Sequence, residues 1–269
     1  MIERPSTEFA RGRSIFRRLS GSPTREYYLY CPTTLRTDAP ILVAVHGISM
    51  NAAEQMVRLR HIAEDKGMIV IAPYFSKSLY PGYQQLVSKR TGARADLALL
   101  DIVNNVGAEL GLSKTKFVLI GFSGGAQFAH RFAFYHANRV ALCISCAAGW
   151  YTYPQFDEPY PTGLRVGTGP HGISAHPEWV KVRHHVIIGS LDTAVEPALN
   201  MKPEIADRQG KGRLERARRW VKAMNLAAAD NAMLKVDYSE IPGLGHDFGE
   251  AHDQFHLAKL ISQDIESII

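Results

Sequence analysis

Three cysteines in 269 residues are too few for a disulfide framework. Two of them, Cys143 and Cys146, form a C-x-x-C within Val140-Ala-Leu-Cys-Ile-Ser-Cys-Ala. That segment reads as a buried strand, where residues three apart point to opposite faces. The two thiols therefore share neither a metal nor a bond, and no second cysteine pair completes a zinc site. No apolar run approaches the ~18 residues of a membrane span. The opening Met1-Ile-Glu-Arg-Pro-Ser-Thr-Glu lacks the apolar stretch of a secretory leader, so a soluble cytoplasmic protein is expected. Repeats, low-complexity linkers and a second hydrophobic periodicity are also missing, which argues for one domain over 1–269. Neither sign of charge dominates: 31 Lys and Arg against 26 Asp and Glu leave +5. That excess attracts anions weakly and falls short of a nucleic-acid signature. Six arginines and two glutamates crowd residues 1–25, but no groove-reading motif accompanies them. Nucleic acid is a minor alternative partner, one that predicts steeply salt-dependent binding.

Hydrophobic residues, at 46%, are abundant enough to exclude disorder. Apolar runs without alternation occur at 41–45, 68–72, 117–120, 140–147 and 186–188, with a weaker last strand at 233–238. Runs of this kind indicate strands covered on both faces, as in a parallel sheet. Helical spacing falls between them, at 52–66, 94–110, 124–136, 214–229 and 250–268. Asn51 with Glu54 suggests a capping box for the first helix, and Gly67 its stop. Ahead of this alternation, the polar and aromatic segments 14–20 and 25–30 flank Pro23 and predict an antiparallel hairpin at one sheet edge. The whole is an α/β architecture with helices on both faces. One stretch interrupts it. Residues 149–183 are rich in Tyr, Pro and Gly, follow a strand of the parallel sheet, and so lie at the edge where such sheets bind ligands.

Gly121-Phe-Ser-Gly-Gly125 sits between a predicted strand and a predicted helix. This is G-x-S-x-G in the strand–turn–helix setting of a nucleophile elbow, where flanking glycines remove Cβ atoms that the sharp turn cannot accommodate. Taken alone it also fits a tight turn with a capping serine. Three further segments appear at strand ends in a telling order. Val45-His-Gly-Ile48 follows the first parallel strand and offers the Ile48 amide as an oxyanion donor beside that of Gly124, with Ser49 as the substitute if the loop is shifted by one. His46 is expected to fix that loop by hydrogen bonding. Gly189-Ser-Leu-Asp192 places a carboxylate where it can orient an imidazole, ahead of the rivals Asp157 and Glu158. Gly243-Leu-Gly-His246 supplies the imidazole, and the adjacent Asp247 reads as a helix cap. The order Ser123, Asp192, His246 is that of the α/β-hydrolases.

The sequence resembles the esterase branch of the α/β-hydrolase superfamily, similar to polyhydroxybutyrate depolymerases and feruloyl esterases. Pro40-Ile-Leu-Val-Ala-Val-His-Gly, Asn51-Ala-Ala-Glu, Gly121-Phe-Ser-Gly-Gly-Ala and Gly243-Leu-Gly-His carry the likeness over most of 40–250. Dienelactone-hydrolase-like enzymes share the layout but place Cys at the elbow, where this chain has Ser123. The resemblance implies an eight-stranded, mostly parallel sheet and ester hydrolysis without a cofactor or metal. The secreted depolymerases of that branch carry a leader, paired cysteines and a polymer-binding domain that this sequence lacks, so the expected substrate is a small soluble ester. A thioesterase or a prolyl-oligopeptidase-like peptidase uses the same triad, and a non-catalytic ligand-binding protein of the same fold is the alternative from another class. No membrane partner is expected, and a homo-oligomer is left open.

Tyr74, Phe75, Trp150 and Tyr151, with Phe122 beside the serine, are expected to border the acyl or alcohol pocket. The remaining polar features have plainer readings. His184 and His185 precede a strand and read as surface. His252 and His256 are four apart on the final helix, which is metal-ligand spacing, but a solvated face is the simpler account. The basic run from Lys211 to Arg219 also reads as a solvated face that can contact an anionic substrate or partner.

Overall fold

The computed structural model describes residues 10–113, 116–229 and 233–268; the opening segment read above for a leader lies outside them. Eight strands form one sheet in the order β1-β2-β4-β3-β5-β6-β7-β8. The hairpin β1 (Ser14–Leu19) and β2 (Arg25–Tyr30) is antiparallel and joins β4 (Ile69–Tyr74) antiparallel. From β4 onward β3 (Ile41–Val45), β5 (Phe117–Phe122), β6 (Val140–Cys146), β7 (Arg183–Gly189) and β8 (Val236–Ile241) all run parallel.

The unbroken apolar runs follow from burial on both faces. In β3, Ile41, Val43 and Val45 join one core layer while Leu42 and Ala44 join the other. The first layer is covered by α2 (Ala95–Leu110), α3 (Gly124–Tyr135) and α5 (Arg213–Ala229). The second is covered by α1 (Ala52–Lys66), α6 (Phe248–Asp253) and α7 (Leu257–Glu266). Cys143 and Cys146 fall in different layers, as strand alternation requires. Gly67 ends α1 in the left-handed region at φ 61°. Asn51 makes no capping bond to the backbone; its amide donates instead to the Glu54 side chain at 3.2 Å.

Several local expectations change. The last helix is two: His256 at φ 56° separates α6 from α7, so His252 and His256 do not share a helix face. A short α4 (Pro203–Gln209) precedes α5. His184 and His185 are buried within β7, because the helices cover both sheet faces: His184 lies against Phe134 of α3 and Trp220 of α5, and His185 faces α7. His185 bonds Asp264 (2.5 Å) and Ser239 (2.9 Å). Within the basic run, Arg213 and Arg216 are buried, whereas Arg218 and Arg219 pair with Glu240 and Glu215 at the surface. In the N-terminal region, Arg17, Arg18 and Arg25 are each paired with a carboxylate, on Glu109, Glu26 and Asp101.

The excursion after β6 is knitted to itself. Tyr153 N donates to Thr162 O and Leu164 N to Gln155 O, both at 2.8 Å. The Thr152 hydroxyl donates to Pro161 O at 2.6 Å.

Candidate active site

Ser123 occupies the turn between β5 and α3 with φ 54° and ψ −111°, a strained conformation for a residue with a side chain. The flanking glycines permit it. A Cβ on Gly121 would lie 2.1 Å from the Gly125 carbonyl oxygen, and one on Gly125 would lie 1.9 Å from Val45 O. The turn is pinned by Ser123 N donating to Cys146 O at 2.8 Å. It thereby projects the hydroxyl beyond the carboxyl ends of the central strands.

The loops after β7 and β8 converge on that hydroxyl. His246 Nε2 lies 3.1 Å from Ser123 Oγ, and His246 Nδ1 lies 2.7 Å from Asp192 Oδ2. An ionised carboxylate can only accept, so Nδ1 carries the proton and Nε2 is left to accept from the serine hydroxyl. The two loops touch closely: Leu191 N donates to Leu244 O at 2.9 Å, and a Cβ on Gly189 would lie 2.2 Å from that oxygen. Phe122 stacks on the imidazole with centroids 4.9 Å apart, fixing the ring from the side. Asp247 is occupied elsewhere, its Oδ1 accepting from Glu250 N at 2.8 Å as the cap of α6. Of the other acids, Asp157 is exposed and Glu158 pairs with Arg208 at 3.0 Å.

The loop after β3 forms the opposite wall. His46 is fully buried; its Nε2 accepts from Phe75 N at 2.9 Å and its Nδ1 donates to Gly47 O at 2.7 Å. Burial pushes its pKa down to about 4, which keeps the ring neutral and structural at physiological pH. The Tyr83 hydroxyl donates to His46 O at 2.7 Å. The Ile48 side chain rests against Gly124, with Ile48 Cγ2 3.0 Å from where a Gly124 Cβ would lie. Gly124 begins the 12-residue α3, where the amide has no partner within the helix and the helix end is electropositive. Neither the Gly124 nor the Ile48 amide donates to another backbone group among the described residues.

No protein-family profile matches the chain, and no curated protein matches it either. Solved structures do. The poly(aspartic acid) hydrolase-1 from Sphingomonas sp. KT-1 superposes with a TM-score of 0.75 at 21% identity, over 91% of this chain and 99% of that one. LpqC, a poly(3-hydroxybutyrate) depolymerase from Bordetella parapertussis, gives 0.74 at 25% identity, over 90% and 88%. The S-formylglutathione hydrolase FrmB from Staphylococcus aureus gives 0.57 at 14% identity, over 95% and 99%. By fold, the chain is an α/β-hydrolase. Its structural neighbours are esterases and serine hydrolases, in keeping with the esterase branch of that fold.

As in other sheets of this kind, the crevice lies at the strand ends. Ser123 stands where two lobes meet. The larger, about 570 Å³, is lined by Ile48, Ser49, Phe122, His246 and Asp247 among others. The smaller, about 150 Å³, is lined by Ile48, Gln84, Gln85, Gln127, Trp150 and Asn200 among others. Phe122 and Trp150 thus border the crevice. Phe75 and Tyr151 do not: Phe75 packs on Tyr83 and Phe128, and Tyr151 stacks on Trp220 at 4.9 Å. Both rings are too fully enclosed by the core layer to meet a ligand. Tyr74 packs partly buried against the opposite layer and lines neither lobe.

One residue of this centre escaped the sequence reading. Arg213, buried at the start of α5, donates to Asp192 Oδ1 at 3.1 Å and to Glu196 Oε2 at 2.8 Å, and it lines both lobes. The available signal was its place in the basic run, which by itself does not separate a solvated arginine from a buried one.

Proposed function

We propose that the protein is a serine hydrolase that cleaves a carboxylic ester of a small soluble substrate through an acyl-enzyme on Ser123. The observation that carries this reading is the unbroken hydrogen-bonded series from Ser123 Oγ through His246 to the buried carboxylate of Asp192. The likeness to LpqC at 25% identity supports the hydrolytic part of it.

In this mechanism His246 Nε2 takes the hydroxyl proton as Ser123 Oγ attacks the ester carbonyl. Asp192 holds the imidazole in the reactive tautomer and stabilises the imidazolium that forms. The amides of Gly124 and Ile48 receive the oxyanion, and each such donor is worth roughly 10²–10³ in turnover. The imidazolium then protonates the leaving alcohol, and water repeats the sequence to free the acid. A two-lobed crevice of limited volume supports a compact soluble ester over a long polymer chain. The test is hydrolysis of short-chain esters, with labelling of the serine by a fluorophosphonate. Wild-type protein should do both and Ser123→Ala neither. Hydrolysis undiminished in Ser123→Ala would remove the mechanism, and a wild-type serine inert to the probe would favour a ligand-binding role.

A further inference from the structure

Two buried arginines stand behind the smaller lobe. Arg131 donates from Nη1 to the carbonyls of Gln84 (2.8 Å) and Gln127 (3.2 Å), and its guanidinium lies 4.1 Å from the centre of the Trp150 ring. Arg216 donates to Gly149 O at 2.7 Å and to Asn200 O at 2.8 Å. All five of those residues line the lobe. Both arginines are 0% exposed. Among the described residues neither is ion-paired with a carboxylate, and Arg131 Nη2 has no hydrogen-bond partner. Burial lowers both pKa values, that of Arg131 to about 10, so both remain cationic at neutral pH. The third arginine at this centre, Arg213, is by contrast matched by Asp192 and Glu196.

The face of the lobe sets the carboxamides of Gln84, Gln85, Gln127 and Asn200 beside the apolar side chains of Ile48, Trp150, Ala198 and Leu199. The side chains of Gln84, Gln85 and Gln127 make no hydrogen bond to the protein among the described residues, and Gln85 Oε1 is enclosed without a partner. Gln127 is the one residue of α3 that is not buried. Gly149 leaves it room, since a Cβ there would lie 2.8 Å from Gln127 Nε2. Free amide N–H groups backed by unmatched cations in a low-dielectric wall favour a negatively charged group.

Position decides which part of an ester this group belongs to. The leaving oxygen must take its proton from His246, and His246 lines the larger lobe. The acyl chain therefore turns into the smaller one. In the lining of the larger lobe Glu54 and Glu196 are paired with Arg58 and Arg213, and Asp247 has no cationic partner among the described residues, so its charge disfavours an anionic alcohol there. A volume of about 150 Å³ equals that of roughly five water molecules, which suits a short chain. We propose that the smaller lobe is an acyl subsite for a compact chain ending in a carboxylate, as in the half-ester of a short dicarboxylic acid.

This inference rests on the ester-hydrolase reading, and the experiment separates the two. Monoethyl succinate, ethyl succinamate and ethyl butyrate are matched in length and differ in the terminal group. Ester cleavage by the wild-type protein is followed at constant pH by titration of the acid released. The half-ester should exceed the butyrate in kcat/KM by about tenfold or more, with the neutral amide between. Gln127→Leu should narrow that ratio to about threefold. Equal or better cleavage of ethyl butyrate or ethyl succinamate overturns the subsite and leaves the hydrolase intact. Should none of the three be cleaved, calorimetric binding to folded Ser123→Ala decides the subsite alone: preference for monoethyl succinate over ethyl butyrate supports it, and equal binding overturns it.

Discussion

Arg213 holds the oxygen of Asp192 that His246 leaves free: Oδ1 accepts from the guanidinium at 3.1 Å while Oδ2 faces the imidazole at 2.7 Å. The carboxylate is thereby clamped from two sides in a buried setting, and its rotation would break two charged hydrogen bonds at once.

Removing the clamp tests how far the relay depends on it. Arg213→Gln leaves a buried carboxylate short of a charged partner, a loss of about 1–3 kcal/mol, which if expressed fully in the barrier is about five- to 150-fold in kcat. Glu196→Gln keeps the bond to Asp192 and should change kcat far less. Steady-state rates across pH 5 to 9 check both.

The two acids near the imidazole separate cleanly by role. Asp192→Asn should lower kcat by about 10⁴, because an amide at that place favours the wrong tautomer. Asp247→Asn should leave kcat within about twofold, since Asn caps a helix as well as Asp does. Equal losses in the two variants would show that the capping acid shares in the chemistry.

The elbow tolerates no Cβ on either side of the serine. In Gly125→Ala the new methyl would stand 1.9 Å from Val45 O, and in Gly121→Ala 2.1 Å from Gly125 O, both unyielding backbone atoms. Each variant should lose more than about 3 kcal/mol of stability or fail to accumulate folded. Gly67→Ala is a milder control: φ is +61°, but nothing lies within 4 Å. Denaturant unfolding of all three measures the difference.

Acid should weaken the fold through its buried neutral histidines. Burial lowers the pKa of His46 and of His184 to about 4, and it holds that of His130 well below the ordinary histidine value. An unfolded histidine titrates near 6.5, so the unfolded chain takes up these protons first. Stability is therefore complete above pH 6.5 and falls as the pH drops from 6.5 toward 4, by about 3 kcal/mol for each of His46 and His184. Neither ring nitrogen of His184 has a hydrogen-bond partner among the described residues, and the ring lies against Trp220 and Phe134. His184→Leu should then flatten the pH dependence of unfolding in that window at little cost at pH 7.5.

Much of this molecule was legible in one dimension. Unbroken apolar runs such as Ile41–Val45 announce a sheet covered on both faces, because every residue of such a strand must leave water. The glycines around Ser123 mark the elbow, because a turn that sharp is closed to side chains. The order of serine, acid and histidine is a property of the chain itself. What the sequence does not encode locally is which polar groups end up inside. Arg213 and Arg216 share a run with Arg218 and Arg219, and only the docking of α5 against the sheet decides that the first two turn inward. His184 and His185 are buried because α3 and α5 on one face of the sheet and α7 on the other cover β7 from distant parts of the chain. Phe75 and Tyr151 are drawn away from the crevice by core partners that no spacing rule reveals. Covalent order and backbone sterics act over a few residues and can be read directly; burial is the summed effect of every element, and it exists only once the chain has folded.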